Sequence, residues 1–479
     1  MDTFIKSIRG FGWVSIGQGL STAMRILGTI YLARIIDPFF FGQKIMAVAV
    51  VSIFGAFYMI GVQPAIIRQQ KQIKSYIETV LFIRTSMVFI LCAVLLGLWA
   101  LNILPNSQEI QFYIILLFAS QSLAEITSVY AAYITREMFF FRLMLLHIIP
   151  VFIGTSVACV LAARGYTIWA LLWLTMAENL TTAILSFLLV PKLFRPKFNR
   201  KLAFEFFHYA KYIVITNFLE RFRGQIDRLF IGAFSGLTSL GFYQRASGLS
   251  GQIQQVTMGG ISVIAQPYFS KLQGDRERLG RSIEFLSSLL VRVSCFIFIG
   301  FAFILPDVVS FVYTDKWLPA VPIFRLLLPL AVLRGLRIVL RNTHTVAGSV
   351  NRLVVSQFFE LLVLGLLLYP LIYWKKVSGA VIAVNISTIT GVGFMLYYMR
   401  NFANFNIWRI FAAPIIAGSS GFLVVLAVSA ATGKTIDNNN VWVNCLLFSI
   451  IYWTILVMLE YSFIREVLGL IKRAIKQGG

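Results

Sequence analysis

The sequence predicts an all-α polytopic membrane protein of about fourteen transmembrane helices: two pseudo-symmetric six-helix lobes plus two extra C-terminal helices. Three observations carry this reading. Of 479 residues, 58% are hydrophobic and 13% charged, against about 45–50% and about a quarter in soluble domains, which excludes a soluble enzyme. Apolar runs of membrane-crossing length recur along the whole chain. Residues before and after a basic stretch near position 200 resemble one another in the same order.

Apolar stretches bounded by charge and turn residues predict the elements in turn. The first, 10–33, follows Lys6 and Arg9 and contains Arg25; it is too long for a signal-peptide core and is read as a retained span. Spans 42–64, 78–101, 111–134, 144–163 and 168–190 complete an N-terminal lobe over 1–190. Residues 191–207 form a basic cytoplasmic linker carrying Lys192, Arg195, Lys197, Arg200 and Lys201. The second lobe, 208–399, holds spans 208–231, 243–267, 283–305, 320–343, 353–373 and 378–399. Residues 400–463 supply helices 13 and 14, at 410–431 and 441–463. The tail 464–479 sets Val467, Leu468, Ile471 and Ile475 opposite Lys472, Arg473 and Lys476, the pattern of an interfacial helix.

With the N-terminus inside, the cytoplasmic segments carry 23 Lys/Arg and the external loops six. The positive-inside rule therefore places both termini of this inner-membrane protein in the cytoplasm. The internal likeness has an offset of 199: Ala33-Arg-Ile-Ile-Asp-Pro-Phe-Phe-Phe-Gly42 stands against Gly232-Ala-Phe-Ser-Gly-Leu-Thr-Ser-Leu-Gly241, and Trp13 against Tyr212. Gln63-Pro64 then matches Gln266-Pro267. An even number of spans per repeat gives both repeats one orientation.

The net charge of +23 has no soluble basic face interleaved with aromatics, so nucleic acid is excluded as a partner and membrane lipid is expected. Thirteen Lys/Arg fall within the spans and must face protein or water. Span 1 presents Gln18, Ser21, Thr22, Arg25 and Thr29 on one face, and span 8 presents Arg245, Gly248, Gln252, Gln255, Gly259, Ser262 and Gln266. Span 7 packs Asn217, Glu220, Arg221, Arg223, Gln225, Asp227 and Arg228 into its outer half. Span 10 aligns Arg334, Arg337, Arg341 and His344, the last two reaching toward the cytoplasmic surface. Guanidinium groups bind phosphate through bidentate, charge-assisted hydrogen bonds. The candidate anion-binding residues are therefore Arg25, Arg84, Arg221, Arg223, Arg245, Arg292, Arg334 and Arg337, with Gln252 and Gln255 lining a wet path.

The intramembrane acids are partners of these cations or sites for a coupling H+ or Na+. Glu220 and Asp227 have arginines nearby in sequence, whereas Glu125 has no local cation; the coupling candidates are Glu125, Asp227, Glu178 and Glu360. No cofactor or metal is expected, because Cys92, Cys159, Cys295 and Cys445 stand alone in apolar runs and His147, His208 and His344 read as interfacial residues. No catalytic constellation is present, so an enzyme is not expected. A polymerase would show a large external loop, and the longest here has about fourteen residues.

Leu32-Ala-Arg-Ile-Ile-Asp-Pro-Phe-Phe-Phe-Gly42, Gln225-Ile-Asp-Arg-Leu-Phe-Ile-Gly232 and Leu240-Gly-Phe-Tyr-Gln-Arg-Ala246 resemble the polysaccharide transporter family of lipid-linked oligosaccharide flippases, the Wzx type. That family lies in a superfamily with multidrug extruders and the peptidoglycan-precursor flippases. The resemblance implies a V-shaped pair of lobes that alternate access and carry an anionic undecaprenyl-pyrophosphate-linked oligosaccharide outward. It also implies a place beside the polymerase and chain-length components of a surface polysaccharide assembly system. Peptidoglycan-precursor flippases typically carry an Arg-Asp pair one turn after Arg-x-Leu-Gly; here Arg25-Ile-Leu-Gly28 leads to Tyr31-Leu32, which disfavours that identity. The rival readings are a cation-coupled drug extruder of the same superfamily, with a less cationic cavity, and a membrane glycosyltransferase or polymerase.

Overall fold

The computed structural model describes residues 2–58, 62–69, 72–101, 108–191, 193–272, 275–431 and 441–478, and among them there is helix and no strand. The helices are α1 (Asp2–Ile35), α2 (Pro38–Tyr58), α3 (Val62–Arg68), α4 (Ile73–Ala100), α5 (Gln108–Arg136), α6 (Phe140–Ala163), α7 (Thr167–Leu188) and α8 (Arg200–Ser235). They continue with α9 (Leu237–Lys271), α10 (Arg276–Tyr313), α11 (Ala320–Leu326), α12 (Leu328–Val346), α13 (Val350–Met399), α14 (Ile407–Ala431) and α15 (Val441–Gly478). Nine of them, among the described residues, are long and apolar enough to cross a membrane. The long helices outside that set, α1, α8, α9 and α12, are the ones on which the sequence concentrates its polar faces.

Local chemistry explains the boundaries. Pro38 opens α2, where its missing N–H costs nothing. Asn199 caps α8, its Oδ1 accepting from Lys201 N at 3.1 Å and Leu202 N at 3.4 Å, and Asp275 caps α10 from Arg278 N at 3.0 Å. The single span expected over 320–343 is two helices, because Pro329 in the first turn of α12 cannot donate back across Leu327. The gap expected between 373 and 378 is a reversal inside α13, where Lys376 takes φ 49° and ψ −129°. In α15 the backbone breaks at Glu460, with φ −140° and ψ 40°. Several expectations fall outside the described residues: the side chains of Pro64, Tyr212, Asn217, Gly259, Ser262, Gln266 and Pro267, and those of the tail after Arg465.

The chain divides into two compact units, Met1–Gln244 and Arg245–Gly479. In the first, α1 runs along α6, α6 along α7, and α5 fills the space between α2, α4 and α7. Ala47, Val51, Val88, Leu95, Ile114 and Leu117 form one core; Ile77, Val80, Val129, Ile134 and Phe206 form another that ties α8 to α4 and α5. In the second unit, α10 packs on α12, α14 and α15 around Phe303, Leu336, Leu340, Met395, Phe448 and Tyr452. Burying these side chains against one another replaces lipid contacts with shape-complementary packing, the main source of association between helices in a bilayer.

Candidate functional site

The first unit carries an open cavity of about 900 Å³ lined by residues from α1, α3, α4, α5, α6 and α7. Among the apolar walls stand Gln18, Ser21, Arg25, Arg84, Glu125, Ser128, His147, Glu178, Asn179 and Thr182. The α1 hydroxyls bond their own helix: Ser21 and Thr22 donate to the Gln18 carbonyl and Thr29 to that of Arg25, leaving Gln18 and Arg25 to set the polarity. Arg25 Nη1 donates to both carboxylate oxygens of Glu178, at 2.8 and 3.0 Å. Close approach of α6 to α7 at Gly154, where a Cβ would meet the Leu174 carbonyl oxygen at 2.7 Å, holds Glu178 at the wall. Pro150, also in the lining, lacks the N–H that would bond the carbonyl of Leu146 beside it.

A second pair faces the same space. Arg84 Nη1 donates to Glu125 Oε2 at 2.8 Å, and this pair is nearly sealed, with side chains 6% and 12% exposed. The Arg25 side chain is by contrast 56% exposed, over a Glu178 that is 14% exposed. Glu125, without a cation near it in sequence, thus has one across 41 residues. Asn179 donates to Ser120 Oγ at 3.3 Å. Among the described residues no group of His, Cys, Asp and Glu could hold a metal.

The remaining candidates are dispersed. Asp227 accepts from the Tyr243 hydroxyl and from Arg228 N, while Arg228 turns to Gln225 Oε1 at 2.8 Å. Asp227, expected beside a guanidinium, accepts from a phenol, and Arg228, one residue on, is aimed to another side of the helix. Arg221 and Arg223 are half-buried, Gln252 is half-buried and Gln255 exposed. In the second unit Arg245 is buried with its guanidinium over the rings of Tyr313 and Trp317, at 4.7 and 4.8 Å. Arg292 holds Glu460 through two hydrogen bonds, one of 2.6 Å, and donates to the Arg409 carbonyl at 3.1 Å. Arg337 donates to the fully buried Glu360 at 2.8 Å, with Thr388 donating to the same oxygen at 3.4 Å.

The span 10 stripe separates accordingly. Arg334 is half-buried and Arg341 exposed. His344, expected at the surface, is buried in the core instead, its ring nitrogens 2.9 Å from Ser349 Oγ and 3.0 Å from the Met395 carbonyl. Two partners saturate the imidazole, so it needs no water. His147, also expected at the surface, is exposed and lines the cavity. Sequence reasoning passed over Asn179 and Thr182, although their spacing from Glu178 puts all three near one face of α7.

Residues 31–322 match the family described as Polysaccharide biosynthesis protein. The chain is similar to the succinoglycan biosynthesis transport protein ExoT of Rhizobium meliloti (strain 1021), 21% identical over 481 residues, taking in 96% of this chain and 95% of that protein. Its fold is that of the lipid II flippase MurJ in an inward closed conformation, with a TM-score of 0.71 at 14% identity over 94% of this chain and 99% of MurJ. It also matches an inward-facing multidrug resistance MATE family transporter of the MOP superfamily, with a TM-score of 0.59 at 14% identity over 82% and 98%. Since the family match spans more than half of a chain whose fold is that of membrane transporters, this multi-pass membrane protein belongs to the polysaccharide biosynthesis protein family.

Proposed function

We propose that this protein is a flippase that carries an undecaprenyl-pyrophosphate-linked oligosaccharide repeat unit from the cytoplasmic to the outer leaflet of a bacterial cytoplasmic membrane. The repeat unit then passes to polymerase and chain-length components of surface polysaccharide assembly. The reading is supported by the family, by the transporter named among its relatives, and by the cationic bias of its spans. Translocation makes and breaks no covalent bond, so the protein's task is binding, orientation and release.

One observation carries the mechanism: Arg25 projects a largely accessible guanidinium into a cavity of a size that accommodates a headgroup. Glu178 neutralises it in the absence of cargo. A phosphate oxygen offers a stronger, bidentate partner, so the arriving anion displaces the carboxylate. The released Glu178, left in an apolar wall, takes up a proton, and discharge of that proton outside or inside resets the pair. Proton coupling is assigned to Glu178 because Glu125 and Glu360 are bound to guanidiniums that water scarcely reaches. Arg334, half-buried in α12, is the corresponding cation of the second unit.

The test is a cell in which this protein is the sole exporter. Its deletion leaves complete lipid-linked repeat units facing the cytoplasm. Arg25→Gln produces the same accumulation at normal protein levels, and Arg25→Lys restores export in part, since the charge returns without the planar fork. Incomplete repeat units after deletion would mean a transferase, and wild-type export by Arg25→Gln would remove the cavity from the path. Loss of resistance to cationic drugs with no lipid intermediate would favour the multidrug reading.

A further inference from the structure

The basic segment between α7 and α8 is bound to the first unit along its length. Arg142 Nη1 donates to the Leu189 carbonyl at 2.7 Å, where α7 ends. Phe194 is buried and stacked on Tyr130 with ring centres 6.1 Å apart, and its carbonyl accepts from the Tyr130 hydroxyl at 3.1 Å. Lys197 N donates to the Glu78 carbonyl of α4 at 3.2 Å. Beyond the Asn199 cap, Leu202, Ala203 and Phe206 turn into the core that ties α8 to α4 and α5. With its backbone and inward side chains committed to these contacts, the segment holds its other side chains in fixed outward positions.

Those outward side chains are of two kinds. Arg195, Lys197, Arg200 and Lys201 are exposed, and no carboxylate among the described residues pairs with them. Leu193, Phe198 and Phe204 are interleaved with them and are 66%, 58% and 74% exposed. Four unanswered cations attract anions, and three large apolar side chains favour a nonpolar phase. The boundary of a bilayer, where phosphate headgroups overlie acyl chains, satisfies both at once. The segment follows directly on α7, a helix long and apolar enough to cross a membrane, which puts it at the depth of that boundary. It is also apart from the cavity: Tyr130 and Tyr133 hold it from one side of α5, whereas Glu125, Ser128, Ala132 and Thr135 line the cavity from another.

We propose that residues 193–204 form a binding surface for the anionic phospholipid headgroups of the cytoplasmic leaflet: Arg195, Lys197, Arg200 and Lys201 take the phosphates, and Leu193, Phe198 and Phe204 enter the acyl boundary beneath them. The choice of leaflet follows from the charge distribution of the chain. The surface fastens the first unit to one leaflet through a site distinct from the one that would take cargo. The inference rests on the membrane-spanning reading and not on the cargo. Its test uses ordinary phospholipid and no sugar, so the two fail separately.

The full chain, with its four native cysteines replaced by alanine, carries Pro196→Cys at an exposed position beside Arg195. It is labelled there with a fluorophore and placed in phosphatidylcholine nanodiscs containing a small, fixed fraction of brominated lipid, with either a phosphatidylglycerol or a phosphatidylcholine headgroup. Quenching by the anionic lipid is expected to be about fivefold stronger or more, the worth of a single cation at an anionic surface. Arg195→Gln, Lys197→Gln, Arg200→Gln and Lys201→Gln combined bring the two lipids level. Should that variant fail to fold, the unsubstituted chain decides by itself, because about 1 M salt screens the headgroup charge and levels the two lipids in the same way. Equal quenching by both lipids at low salt overturns the proposal, as does a preference that survives the four substitutions or the salt. Quenching by neither lipid refutes it in favour of an acidic protein partner. Loss of the preference on adding inorganic phosphate at constant ionic strength refutes it in favour of a free anion.

Discussion

Arg25 and Arg292 make the same chemical pair with a glutamate and live in opposite surroundings. Arg25 with Glu178 stands at the wall of a cavity with more than half of its side chain exposed. Arg292 with Glu460 is closed off, its side chain 5% exposed, and joins α10 to the break in α15. The lesson is that a guanidinium inside a membrane protein declares a cost and not a purpose. Access to water decides between the two uses, because an accessible pair can exchange its partner and a sealed pair cannot.

The sharpest way to break this contrast is to remove one partner of the sealed pair. Arg292→Ala or Glu460→Ala leaves an uncompensated buried charge, a loss of about 3–5 kcal/mol. Thermal unfolding in detergent should show a large drop in midpoint, and the protein should accumulate poorly. An unchanged midpoint would mean that Glu460 finds water at the α15 break.

A loss that a second substitution makes small sharpens the distinction between burial and need. Glu360 is fully enclosed by α12 and α13, held by Arg337 and Thr388. Arg337→Met alone should destabilise by roughly the same 3–5 kcal/mol, whereas Arg337→Met with Glu360→Met should recover most of it, since apolar isosteres often replace a buried pair without loss. Export by the double variant, measured beside its stability, then separates a structural pair from a transporting one. A double variant no better than the single one would show that the charges hold α12 and α13 in register.

The smallest expected change in stability belongs to the pair with the largest expected change in function. Arg25→Ala should alter unfolding by no more than about 1 kcal/mol, the range for solvent-accessible ion pairs. Its cost appears in export. A midpoint shift as large as that of Arg292→Ala would assign Arg25 to the scaffold and return the cavity to a packing role.

Much of the helical framework was legible because lipid imposes it. Long apolar runs leave no alternative to helix, and proline, glycine and capping residues such as Asn199 and Asp275 fix where helices begin. The polar helices α1, α8, α9 and α12 were equally visible, since a run such as Glu220–Arg228 has no other explanation in a chain of this composition. What could not be read was pairing. Arg84 meets Glu125 across 41 residues and Arg292 meets Glu460 across 168, and nothing in spacing joins positions on different helices. His344 misled for a related reason: a polar residue near a helix end resembles an interfacial one until the facing carbonyl of Met395 is known. Pro329 was visible in the sequence, but the apolar run around it concealed that the chain there is two helices.

The Arg292–Glu460 pair also has a meaning in time. Glu460 leaves the ribosome 168 residues after its partner, so at synthesis rates of roughly 5–20 residues per second, Arg292 waits about 10–30 s in or beside the bilayer before its counter-charge exists. During that interval α10 carries an uncancelled cation, and its settled depth is reached only when α15 arrives. The pairing of the second unit therefore waits on α15: the helix that closes the charge is made after α10 to α14, and a chain stalled before residue 460 holds Arg292 without its Glu460 carboxylate.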